Sequence, residues 1–132
     1  MAQSFDLATT FVHLDPEGGA EPLRVSRSFF ASPRSGEYAR LVGAFDFASD
    51  ADLHSSMQEI HPQADELLLV VSGALDVVLE GDDAERTVPL EAGQAAIVPR
   101  GVWHRLVMRR PGRLVFINNR RDMQSRRASA RR

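Results

Sequence analysis

Two glutamates and two histidines are spaced so that their side chains can converge. Glu59 and His61 are two residues apart, so they share one face of an extended strand. Residues 62–65 are typical of a chain reversal, and Glu66 opens the apolar segment that follows. Antiparallel pairing of the two segments would bring Glu66 back to His61. Imidazoles and carboxylates in this arrangement favour a site for a divalent cation.

A later segment supplies His104, after a turn at residues 99–101. Within residues 102–108, the side chains of Val102, His104 and Leu106 share one face, which we interpret as facing the protein interior. The same alternation places Leu68 and Val70 beneath the second glutamate. The surroundings expected for the polar groups are mostly apolar, which suits a small, modestly polar ligand.

The elements that must position these residues are short strands. Apolar segments alternate with turns rich in Gly, Pro, Asp and Ser along the chain, a pattern that predicts an all-β sandwich or barrel. Strands are predicted at residues 23–29, 38–47, 55–61, 66–71, 74–80, 85–88, 94–98, 102–108 and 113–117. Helical structure is only weakly indicated, at residues 4–10 and in the C-terminal tail.

Two spaced motifs within these strands resemble those of the cupin family. The first is Glu59-x-His61, four residues, Glu66, six residues and Gly73. The second is Gly93, five residues, Pro99-x-Gly101, two residues and His104. The resemblance implies a double-stranded β-helix (jelly-roll) barrel that binds one divalent cation through Glu59, His61, Glu66 and His104. It also implies a homodimer.

The chain departs from the cupin pattern at two positions. Glu59 stands where the family has a histidine, and Met108 stands where the family usually has an asparagine, four residues after the last histidine. A carboxylate still coordinates Zn, Fe, Mn or Ni, so the metal identity stays open. A cation would relieve the repulsion and desolvation of two carboxylates in an apolar pocket. The alternatives are a protonated carboxyl, or cationic histidines paired with the glutamates.

Cupin barrels carry many activities, so three hypotheses about function stay open. The first is a metal-dependent enzyme, of isomerase or dioxygenase type, that acts on a small organic molecule. The second is a non-catalytic module that binds a small ligand, and the third is a barrel with a vestigial site. The chain has neither Lys nor Cys, which excludes Schiff-base chemistry and a thiol nucleophile.

Charge and composition bound the partners. The last 13 residues hold six Arg and one Asp, a net charge of +5, whereas the rest of the chain carries −7. The acidic body would repel phosphate backbones, so no nucleic-acid partner is expected. No apolar segment has the length of a membrane span or the pattern of a signal peptide, so we expect a cytoplasmic protein without a membrane partner.

We assign residues 1–20 to an N-terminal arm, 21–118 to the barrel, and 119–132 to an Arg-rich tail that could form a short helix. Arg24 and Arg40 lie on predicted strands and could hold an anionic substrate at the barrel mouth, although such arginines are more often exposed. His54 lies seven residues before His61, an odd separation that points it away from the ligand face.

Overall fold

The computed structural model describes residues 3–26, 28–29 and 36–128, and it confirms the predicted all-β fold. Over these residues the strands are β1 (Thr10–Leu14), β2 (Ala20–Arg24), β3 (Leu41–Phe47), β4 (Met57–Ile60), β5 (Glu66–Leu79), β6 (Arg86–Glu91), β7 (Ala95–Val98), β8 (His104–Asn118) and β9 (Gln124–Arg127). In the described part of the chain, no helix has the length and apolar character that crossing a membrane requires.

The strands pair antiparallel throughout and form one hydrogen-bonded sheet. Its path runs in the order β2-β1-β3-β8-β4-β9, and β5 joins it through β8 while also pairing with β6 and β7. β8 is therefore the central strand, with hydrogen bonds to β3, β4 and β5. This is the double-stranded β-helix barrel that the sequence predicted.

The two longest strands, β5 and β8, form a ribbon that bends near its middle. Their pairing is irregular between Val70 and Leu75, where bulges interrupt the register. The sequence predicted separate strands at residues 66–71 and 74–80, and the structure joins them into β5. It likewise joins the strands predicted at 102–108 and 113–117 into β8. Gly73 makes the bend possible, because its φ is +75° and a Cβ there would overlap the backbone carbonyl of Pro111 on the facing strand.

The apolar core lies inside the barrel and also holds the N-terminal segment. Its buried members come from most of the strands and include Phe11, Leu41, Leu68, Val70, Leu75, Val77, Leu90, Val98, Leu114 and Phe116. The ring of Phe11, on β1, packs edge-on against Phe116, with 5.2 Å between ring centroids. Burial of one phenylalanine side chain contributes about 1.5–3 kcal/mol, so this contact anchors β1 to the barrel.

Both ends of the described chain add strands to the sheet. Residues 10–14, within the predicted arm, form β1 beside β3, and residues 7–9 form a turn where a helical turn was considered. Residues 124–127 of the tail form β9 on β4, so the short helix considered for the tail is wrong there, since backbone pairing with β4 holds it extended. The domain boundaries at 20/21 and 118/119 stay predictions. Residue 27 of the predicted strand 23–29 and residues 129–132 of the tail lie outside the described residues.

Candidate metal centre

Three strands bring the predicted site residues to one end of the barrel interior. Glu59 lies in β4 and His61 directly follows this strand, while Glu66 begins β5 and His104 begins β8. The backbones of Glu59 and His104 are direct partners between β4 and β8. The amide of Gly101 donates to the carbonyl of His61 at 3.0 Å, which ties the turn before β8 to the end of β4.

His61, Glu66 and His104 form a buried cluster of potential metal ligands. Each offers one ligand atom, and these atoms lie within 4.8 Å of one another. His104 Nε2 is 3.1 Å from Glu66 Oε1, and His61 Nε2 is 3.5 Å from Glu66 Oε2. None of the three residues is more than 5% exposed, so their polar atoms have little access to bulk water and must find hydrogen-bond partners or ligands within the protein.

Backbone carbonyls orient both imidazoles in the same way. Nδ1 of His61 lies 3.2 Å from the carbonyl oxygen of Asn119, and Nδ1 of His104 lies 3.1 Å from that of Val102. A carbonyl only accepts hydrogen bonds, so each Nδ1 must carry the proton and donate it. In a neutral imidazole with this tautomer, Nε2 carries the lone pair. The Nε2 lone pairs of His61 and His104 both lie on the side of the Glu66 carboxylate, where they could bind a cation.

Asn118 supports Glu66, and the sequence analysis missed it. Its Nδ2 donates to Glu66 Oε2 at 2.9 Å, and the residue is buried at the end of β8. Asn118 has the same parity as Leu114 and Phe116, two core residues of β8. That alternation could have revealed an inward amide, but the strand predicted at 113–117 stopped one residue short of it.

The charges of Glu66 and His104 stabilise each other. Burial by itself would raise the pKa of Glu66, but the hydrogen bond from His104 and the nearby imidazoles outweigh it, so the pKa is lowered. For His104, burial acts to lower the pKa, but the bond to Glu66 prevails and the pKa is raised. In the metal-free protein, His104 therefore holds a proton more readily than a free imidazole does.

Glu59 and Arg120 lie at the cavity that borders this cluster. A cavity of about 80 Å³ is lined by Glu59, Glu66, His104, Asn118 and Arg120, with mostly apolar residues as its remaining walls. A second cavity, of about 320 Å³, shares Glu59 and Arg120 with the first. Glu59 is outside the group of three ligand atoms within 4.8 Å, so its role as fourth ligand stays a prediction.

The other polar residues that the sequence singled out have different surroundings. Arg24 and Arg40 are exposed and line neither of these two cavities. His54 is exposed and lies beside Met57 in the wall of the second cavity. Met108, which replaces the family's asparagine, packs against the apolar core. Arg120, a residue of the predicted tail, is the arginine that lines both cavities, and Arg105 lines the first cavity as well.

The donor set fits a divalent cation. Zn, Fe, Mn and Ni all bind imidazole nitrogens and carboxylate oxygens. The site offers two imidazoles in fixed tautomers and one carboxylate that accepts a hydrogen bond from an amide. Oδ1 of Asn118 supports the same conclusion, because it is buried and has no hydrogen-bond partner among the described residues. A buried acceptor of this kind calls for a group that the protein alone does not supply, such as a water on a bound ion.

A comparison with protein families agrees with the sequence motifs. The family model described as the cupin domain matches residues 52–118, just over half of the chain, and includes all four predicted ligands. The chain belongs to the cupin domain family. No curated protein sequence matches it.

Solved structures with a similar fold are cupin-type proteins with low sequence identity. An oxalate decarboxylase from Bacillus subtilis, with Mn(II) centres, is 17% identical at a TM-score of 0.52, and the match covers 67% of this chain and 24% of that one. A recombinant oxalate oxidase in complex with glycolate is 23% identical (TM-score 0.51; 67% and 45% covered). Co(II) HppE in complex with substrate is 17% identical (TM-score 0.51; 61% and 44% covered). The matches span less than half of each of these proteins, and they establish the fold alone.

Proposed function

We propose that this chain is a metal-binding cupin that takes a small organic molecule into the cavity beside His61, Glu66 and His104. The observation that carries the proposal is the orientation of the two imidazoles. Their Nδ1 atoms contact backbone carbonyls, and their Nε2 atoms both lie beside one carboxylate. Metal-binding histidines are typically held in this way by a second partner on the other ring nitrogen.

The proposed cofactor is one divalent cation, Zn, Fe, Mn or Ni. His61, Glu66 and His104 would hold it, and Glu59 is proposed as the fourth ligand because it lines the same cavity. When bound, such a cation supplies Lewis-acid chemistry to an oxygen of the ligand. If Glu59 does not bind the cation, its carboxylate is the group in the cavity placed to accept a proton from the ligand.

The apolar walls determine what kind of molecule the cavity accepts. They are formed by Phe45, Leu53, Met57, Leu68, Leu106, Leu114 and Phe116. These side chains favour a short hydrocarbon part and disfavour a large sugar phosphate. A metal-dependent enzyme and a non-catalytic binding module would use the same walls.

Elemental analysis of protein purified without a metal-affinity tag tests the proposal. We expect about one equivalent of a transition metal in the wild type and loss of that metal in Glu66→Gln and in His104→Ala. Glu21→Gln is the matched control, since Glu21 is an exposed residue of β2. Circular dichroism checks that each variant stays β-rich. Full metal content in both site variants would refute the ligand assignment, and a metal-free wild type after reconstitution would support a vestigial site.

We also propose a homodimer, on the basis of an apolar patch on the outer face of β5 and β7. Leu67 and Ile97 are backbone partners and are 37% and 64% exposed, and Val71 nearby on β5 is 50% exposed. Exposed side chains of this size in adjacent strands favour cover by a second copy. Light scattering should give the dimer mass for the wild type and the monomer mass for Ile97→Glu. A wild-type monomer would refute this proposal. The cytoplasmic location stays a prediction.

A further inference from the structure

We propose that Arg120 binds the carboxylate of a small organic acid in the cavity beside the metal cluster, an inference that rests on the proposed function. The proposal defines the class of ligand as a short-chain carboxylate.

Arg120 is held in place by the two residues before it. The Asn118 side chain donates to Glu66, and the backbone carbonyl of Asn119 accepts from His61. Two consecutive residues are thus bound to two members of the buried cluster, which fixes the path of the chain as it reaches Arg120. The guanidinium is only partly exposed and lines both cavities, together with Glu59.

The charge of the loaded cavity favours an anion. Burial lowers the pKa of Arg120, and the charges of Glu59 and Glu66 act in the opposite direction, so the three groups lie within electrostatic reach of one another. With a divalent cation bound, the two carboxylates balance its charge, and neutral histidines add none. Arg120 brings a positive charge to the wall of both cavities, and this charge attracts a monoanion. Arg105, the other arginine in the wall of the first cavity, is paired with Glu85 at 3.6 Å.

The chemistry of arginine and the cavity walls narrow the anion to a carboxylate. A guanidinium presents parallel N–H donors that match the two oxygens of a carboxylate. The apolar residues of the first cavity offer the rest of the ligand a hydrocarbon environment, and the volume of about 80 Å³ admits only a few heavy atoms beside the cluster. The second cavity, of about 320 Å³, is also lined by Arg120 and leaves room for a longer ligand. The single charge of a carboxylate matches the single charge of a guanidinium, whereas a phosphate dianion does not.

Titration of the Zn²⁺-loaded protein with propionate, followed by amide chemical shifts, tests the inference. Propionamide is the neutral probe of the same shape. We expect Arg120→Gln to bind propionate about tenfold more weakly than the wild type or worse, because a charge-assisted hydrogen bond is lost. Propionamide affinity should not change, and Arg120→Lys should fall between the two. Arg121→Gln is the matched control, since Arg121 is the exposed neighbour and should bind propionate like the wild type.

Zinc content is measured on the same samples, so that failures of the two proposals can be told apart. Zinc-loaded wild type that binds propionate and propionamide equally, or an Arg120→Gln variant with unchanged propionate affinity, would overturn only the inference about Arg120. A wild-type protein that retains no zinc would overturn the proposed function and this inference with it. If Arg120→Gln loses its dispersed amide spectrum, the Arg120→Lys comparison decides the result.

Discussion

Glu66 and His104 lie at opposite ends of the β5–β8 ribbon, yet their side chains meet at 3.1 Å. Glu66 begins β5 beside the end of β8, whereas His104 begins β8 beside the end of β5. A straight strand of 14 residues would separate the two ends by about 45 Å at 3.3 Å per residue. The cluster therefore exists only because the ribbon curls back on itself.

The bend at Gly73 should control the stability of the fold. We expect Gly73→Ala to lower the free energy of unfolding by about 2 kcal/mol or more, because alanine is strained at this positive φ and its Cβ would overlap the carbonyl of Pro111. Urea denaturation measures the change. Gly93→Ala is the control, since Gly93 also has a positive φ, +87°, but open space where the Cβ would be. Equal losses in the two variants would contradict the overlap at Pro111.

Asn118 should affect metal affinity without binding the metal itself. Asn118→Ala removes the donor that orients the Glu66 carboxylate, and loss of such a supporting hydrogen bond typically weakens metal binding about 10- to 100-fold. Competition with a chromophoric chelator gives the affinity. Asn119→Ala should bind metal like the wild type, because it keeps the backbone carbonyl that accepts from His61. Unchanged affinity in Asn118→Ala would show that packing alone holds Glu66 in position.

Metal affinity should weaken as the pH falls. The stability that the His104–Glu66 pair gives the metal-free protein should instead increase as the pH falls. The pKa of His104 is raised above 6.5, so a proton competes with the cation already above that pH. In the metal-free protein, the His104–Glu66 pair contributes stability below the unfolded pKa of histidine. That stability is lost as the pH rises through the raised pKa.

Thermal unfolding at several pH values, with chelator and with added metal, checks both signs. The stabilisation by metal should grow from pH 6 to pH 8. A metal effect that does not change over this range would argue against proton displacement from His104. His104→Gln is the control that should remove the pH dependence of the chelated sample.

Arg126 should stabilise β9 on the barrel. Its guanidinium lies 4.0 Å from the ring centre of Trp103, and it donates to Gln58 at 2.8 Å and to Glu80 at 2.7 Å. Because Arg126 is 42% exposed, we expect Arg126→Ala to cost only about 1 kcal/mol in the free energy of unfolding. Arg127→Ala is the control, since Arg127 is exposed on the same strand. A larger effect for Arg127→Ala would contradict this role for Arg126.

The sequence predicted the barrel and the clustering of His61, Glu66 and His104 from local signals. The antiparallel pairing expected between the segments of His61 and Glu66 is wrong, since β4 pairs with β8 and β9. Alternating apolar residues and turn residues define the strands, and the spacing of Glu66 and His104 matches a family pattern. The missed features depend on distant contacts. β1 is placed by the burial of Phe11 against Phe116, and β9 by its pairing with β4, and neither contact has a signal in the segment itself. The inward position of Asn118 has a local signal in the alternation of β8, but its partner, Glu66, is 52 residues away and has none.

The pairing of β4 also affects the order in which the parts of the site can form during synthesis. β4 has one register pair with β8, at Glu59, and four with β9. While a ribosome is still making the tail, the strand that carries Glu59 lacks most of its hydrogen-bonded neighbours. His61, Glu66 and His104 can come together from residues already made, whereas Glu59 gains its final setting only after residues 124–127 have emerged.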